Sequence, residues 1–147
     1  MEDLHNSIKV TNVLAPAATA STNNTAQVSN VIDTDGFESL EFVILTGTLA
    51  DADATFTVLV EEGNTGTPGS TTLSDAGAVA DADLLGTESG AGFDFSFDGK
   101  ASKIGYVGTK RYVRLTVTPA NNTGNFPVAI AAIQGHAKTL PQSTQKI

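Results

Sequence analysis

Hydrophobic and polar residues alternate along much of this chain, and the alternation has a period of two. From Tyr112 to Thr118 it is strict: Val113, Leu115 and Val117 fall on one face, and Tyr112, Arg114, Thr116 and Thr118 on the other. That pattern, rich in β-branched and aromatic residues, predicts a strand with one buried face. Pro119 is expected to end it, since proline cannot donate to a ladder. The same reading predicts a first strand over 6–14, with Ile8, Val10 and Val13 inward, and a short strand over 27–32 closed by the turn Asp33-Thr34-Asp35-Gly36. Residues 38–47 are apolar on both faces, because Leu40, Phe42 and Ile44 alternate with Val43 and Leu45. Such a run fits a central strand covered on both sides, or one whose outer face meets another subunit. Residues 55–62 form a clear strand with Phe56, Val58 and Val60 inward, expected to pair with 38–47 as a hairpin around Asp51-Ala52-Asp53.

Further on, the signals are shorter. A possible edge strand ends at Gly86, Phe93, Phe95 and Phe97 alternate with polar residues, and 126–136 makes a last strand with Val128, Ile130 and Ala132 on one face. No amphipathic helix of useful length is present. About eight short strands separated by Gly-, Asn- and Asp-rich turns predict an all-β antiparallel sandwich, jelly-roll-like, as one domain over 1–147. Its expected core is Leu40, Phe42, Ile44, Phe56, Val58, Val60, Val113, Leu115, Val117, Val128 and Ile130. A polar N-terminal arm or loop over about 1–26 and a polar C-terminal tail over 139–147 are expected beside it.

Charge changes this picture. The formal net charge is −8, but all sixteen acids lie between Glu2 and Asp98 against one base, Lys9, giving −15. Seven bases follow from Lys100 to Lys146 with no acid, giving +7. Either basic strands pair with acidic ones in one sheet, or a two-signed surface docks on a partner. An acidic whole repels phosphate, which argues against nucleic acid. There is no cysteine, so neither disulfides nor thiolate metal sites are available. The acidic start Met1-Glu2-Asp3 gives no signal peptide, and no apolar run approaches the ~20 residues that span a bilayer, so a soluble protein made in a cytoplasm, with no membrane partner, is expected.

Candidate chemistry is sparse. His5 and His136 have no local nucleophile or ligand pattern, and no catalytic or phosphate-binding motif occurs. Asp51-Ala52-Asp53 and Asp81-Ala82-Asp83 lack the glycine and distal glutamate of a helical calcium loop. Glu61 and Glu62 point to opposite sides of a strand. The expectation is therefore no enzyme, no cofactor, no metal site and no catalytic residue. A sugar-binding module would need exposed aromatic faces, and only Tyr106 and Tyr112 are candidates.

The segments Asp35-Gly-Phe-Glu-Ser-Leu-Glu-Phe-Val, Gly47 to Glu62, Asp83-Leu-Leu-Gly86, Lys103-Ile-Gly-Tyr-Val-Gly108 and Lys110-Arg-Tyr-Val-Arg114 resemble a family of small virion structural proteins of tailed bacteriophages. That resemblance implies a capsid decoration, or cement, protein on the outside of the virion, made in the host cytoplasm, with the major capsid protein as partner and no catalytic residues. Two-faced residues 38–47 add an expected homodimer or homotrimer. Interface candidates are Lys103, Lys110, Arg111 and Arg114, with Tyr106 and Tyr112 as anchors, since arginine and tyrosine commonly dominate interface energetics. A carbohydrate- or receptor-binding head module, and a tail-tube or head-completion component, stand as alternatives.

Overall fold

The computed structural model of the chain describes residues 3–16 and 22–142. Among these residues are eleven strands: β1 (Ile8–Leu14), β2 (Gln27–Val28), β3 (Ile32–Asp33), β4 (Phe37–Thr46), β5 (Thr55–Gly63), β6 (Gly77–Ala78), β7 (Leu84–Leu85), β8 (Phe93–Asp94), β9 (Ala101–Tyr106), β10 (Tyr112–Ala120) and β11 (Val128–Ala137). Helical structure among the described residues is one turn of α-helix, Glu88–Ala91, and two 3-10 turns, Asp81–Asp83 and Phe95–Phe97. Among the described residues, no helix is long and apolar enough to cross a membrane.

The strands lie in two antiparallel sheets. One has the order β1-β11-β4-β9-β7; the other has β2-β10-β5-β6, with β3 also on β10 and β8 also on β5. First pairs with last at successive levels, β1 with β11, β2 and β3 with β10, β4 with β9, and β5 with β8, while the short β6 and β7 lie on β5 and β9. The chain is thus a long hairpin rolled up so that β11 also meets β4 and β10 also meets β5. This is the double Greek key of a jelly roll.

Between the sheets, every expected core residue is buried, and Ile104, Phe126 and Ala132 join them. Phe56 stacks on Phe93 at 4.8 Å between centroids and touches Phe126 at 5.2 Å, closing one end.

Several expectations are corrected. The β4 and β5 strands are not a hairpin pair; they lie in different sheets. Their connection crosses the end of the core, burying Leu49 and Ala54, and is tied down by Asp98 accepting the Leu49 N–H at 2.7 Å. In β1, Val10 points outward beside Ile133 of β11, and Val13, three residues on, falls inward by simple alternation; the bulge between Asn12 and Leu14 then brings Leu14 against the core as well. This strand runs along β11, so 8–14 of the expected arm over 1–26 is sheet; 1–2 and 17–21 of that arm and 143–147 of the tail lie outside the described residues. The strand expected over 27–32 is interrupted, since the Ser29 hydroxyl takes the Leu115 N–H at 2.9 Å and Asn30 donates across to Val13. Phe93–Phe97 is strand only to Asp94, whose side chain accepts the Ser96 N–H at 2.9 Å and turns the chain, leaving Phe95 exposed. Pro119 does not end its strand; it sits opposite Phe56 and β10 runs on to Ala120.

Candidate functional site

The basic stretch that sequence alone treats as one cluster is divided by the fold. Strand β9 belongs to the first sheet and β10 to the second, and residues 107–111 carry the chain between them. Lys103 therefore projects from the first sheet, opposite Val43, while Arg114 lies on the second, opposite Glu61.

Tyr106 is not a surface anchor. Its ring is in the core, 4% exposed, and its hydroxyl donates to Glu62 Oε2 at 2.6 Å and accepts the Lys110 N–H at 2.9 Å. Burial, reinforced by the Glu62 carboxylate, pushes the phenol well above its ordinary pKa. The loop closes directly on the ring, since a Cβ at Gly108 would come within 2.6 Å of it. Only glycine fits there.

The two arginines pair with acids on neighbouring strands. Arg111 makes a two-pronged contact with Asp33, Nε to Oδ1 at 2.9 Å and Nη2 to Oδ2 at 2.8 Å, with Asp35 3.8 Å away, and it lies 5.2 Å from the Tyr112 ring centroid. Arg114 grips Glu61 at 2.8 and 3.2 Å and gives a third hydrogen bond to the Thr71 carbonyl at 2.6 Å. The acidic and basic parts of the sequence thus meet as cross-strand pairs inside one sheet. Among the described residues, Lys103 and Lys110 have no such partner.

The Asp33 carboxyl is held below the usual carboxylate range, chiefly by Arg111, against a smaller opposing effect of burial. Asp51 is lowered by the Thr123 backbone and hydroxyl, and Asp75 by the Asn64 and Thr65 N–H groups. Asp51 of the first Asp-Ala-Asp motif is thus engaged as a clasp between two loops, while Asp81 and Asp83 sit in a 3-10 turn. Among the described residues, no three His, Asp or Glu gather closely enough to hold a metal. A carboxyl with a lowered folded pKa stabilises fully above its unfolded value and loses that contribution as pH falls through the folded one. The melting temperature is therefore expected to hold from neutral pH to about 4 and to fall below it. Melting curves across that range check this, and Asp33→Asn should make the acid limb shallower.

What sequence reasoning only glimpsed is the contrast between the two outer faces. The second sheet presents Thr55, Thr57, Leu59, Glu61, Tyr112, Arg114 and Thr118, a surface that is polar apart from the partly exposed Leu59. On the first sheet, one row across the strands reads Val10, Ile133, Glu41, Gly105, Leu85; the next reads Asn12, Ala131, Val43, Lys103; a third reads Ala129, Leu45, Ala101. Val10 is 49% exposed, Leu45 46% and Leu85 58%. The first row runs into a groove of about 460 Å³ whose walls include the exposed Leu4, Val107 and Leu140. This is an aliphatic surface with one acid and one base near its centre. The signal for it was Val43 and Leu45 alternating with core residues.

No family model matches the chain, and no curated protein matches it. Among solved structures it is similar to a chain in the structure of infectious bursal disease virus Gx strain (11% identity, TM-score 0.49), where 92% of this chain aligns with 33% of that one. The chain thus spans about a third of that molecule's length. It is also similar to a chain of the capsid of Ralstonia phage GP4 (9% identity, TM-score 0.47, 95% of this chain and 90% of that one). A third likeness is to the coat protein of Tobacco streak virus (11% identity, TM-score 0.36, the full length of both). The jelly-roll assignment stands on strand order and register and takes nothing from these likenesses.

Proposed function

We propose that this chain is a non-enzymatic virion structural protein that binds the outside of an assembled tailed-phage capsid as a homo-oligomer and braces adjacent capsid subunits. The observation that supports it most is the aliphatic outer face of the first sheet, set against a salt-bridged polar face on the second. A monomer in water gains nothing from such a face; a protein assembled beside its neighbours does. The sequence resemblance to small tailed-phage virion proteins gives the assembly its identity. Many copies on one shell make modest contacts sufficient, because linked contacts multiply.

The exposed cations at the start of β10 are the proposed contacts to the shell, with Lys110 the best probe. Arg111 and Arg114 are poorer probes, since reversing either also breaks a pair that holds the sheet. Shells stripped of the protein should lose resistance to heat, and add-back should restore it. Lys110→Glu should restore it less well while melting like the parent. Equal restoration by Lys110→Glu would remove Lys110 from the contact; no restoration by the parent would sink the proposal.

A further inference from the structure

We infer that the outer face of the β1-β11-β4-β9-β7 sheet is the self-association surface, and that a second copy of this chain covers it about a two-fold axis. This deepens the proposed function and rests on it only for the premise that the chain is a homo-oligomer. The aliphatic part, Val10, Val43, Leu45 and Ile133, lies on regular strands and forms a broad, low surface. Near its centre sit Glu41 on β4 and Lys103 on the adjacent β9, one row apart. The Glu41 carboxylate lies over Gly105, where a Cβ would come within 2.7 Å of it. Neither Glu41 nor Lys103 has an ion pair among the described residues.

A patch with one acid and one base beside it is complementary to itself. Turned over on a second copy, Glu41 of each meets Lys103 of the other, and the contact closes as a two-fold dimer, because each residue is used once from either side. An anionic or cationic partner surface would satisfy only one of the two charges. From strand spacing and rise, the face covers on the order of 400 Å² per copy. That is below the roughly 800 Å² per partner of a standard interface, and the adjoining groove with Leu85 and Leu140 extends it. The dimer should therefore dissociate on dilution.

Sedimentation equilibrium of the full chain across a concentration series, without shells, tests the pairing. The parent should pass from monomer to twice the monomer mass as concentration rises. Glu41→Lys and Lys103→Glu should each weaken association at least about tenfold, since like charges then face each other. Mixing the two variants should restore association, because each then offers the charge the other needs. Leu45→Glu should weaken association with no rescue by either. Circular dichroism of each variant separates lost folding from lost pairing. A parent that stays monomeric at the highest concentration, a trimer, variants that associate like the parent, or a mixture that stays dissociated would each overturn the inference. Shell add-back is independent of this result: a monomer that still protects shells defeats only the pairing, and a dimer that ignores shells defeats only the capsid reading.

Discussion

Leu115→Ala is expected to destabilise the protein by about 3–5 kcal/mol, the upper range for a buried leucine in a rigid core. Leu115 is fully buried on β10, opposite Val60 of β5, and the strand is held on both sides, by β5 and by β2 and β3. On the β2 side the Leu115 N–H is fixed by Ser29 Oγ and its carbonyl by the Ser29 N–H. A backbone pinned so closely cannot collapse into the space left by the lost side chain, so most of the cavity penalty remains. For a domain of this size the melting temperature should fall by about 10 °C or more. The neighbouring Arg114→Ala should cost less, about 1–3 kcal/mol. It removes a pair that is still partly wet (side chains 19% and 16% exposed) and leaves Glu61 able to reach solvent. If the two substitutions cost the same in urea unfolding, the assignment of faces on β10 is wrong.

Tyr106 should show the second large effect, in two separable parts. Tyr106→Ala removes an aromatic ring from the core and from under Gly108, and about 3–5 kcal/mol is expected. Tyr106→Phe keeps the ring and deletes only the hydroxyl, which leaves the Glu62 carboxylate and the Lys110 N–H without their partner. About 1–3 kcal/mol is expected for that loss. The local signature is hydrogen exchange at the Lys110 amide, which should quicken in Tyr106→Phe while the β4 and β11 amides keep their protection. A neutral Tyr106→Phe with unchanged exchange at Lys110 would show that the hydroxyl does not hold the crossover loop.

The strands with one buried face were legible because a period of two is fixed by the pleat itself. Phe56, Val58 and Val60, and Val113, Leu115 and Val117, declare their faces without help from the rest of the chain. Sheet membership was less legible. Strands β4 and β5 are adjacent in sequence and both apolar, and only the crossing of Leu49 and Ala54 over the core end assigns them to different sheets. The phase of β1 was misread because Val10 is apolar yet belongs to the aliphatic outer face, while the inward phase of Val13 is shared by the polar Lys9 and Thr11. The basic cluster misled for a similar reason. Nearness in sequence suggested one patch, whereas the crossover 107–111 leaves Lys103 on one sheet and Arg114 on the other, and Arg111 and Arg114 both pair with acids from distant segments. The two-signed charge division had already offered that pairing as one of its readings.

The proposed role is tested most directly by mixing purified protein with purified shells that lack it and sedimenting the shells. The account predicts saturable binding at a fixed number of copies per shell, with the bound protein accessible from outside to protease or antibody. Protein that stays in the supernatant at every concentration, yet binds host cells or glycans, would contradict it and put the receptor-binding reading in its place.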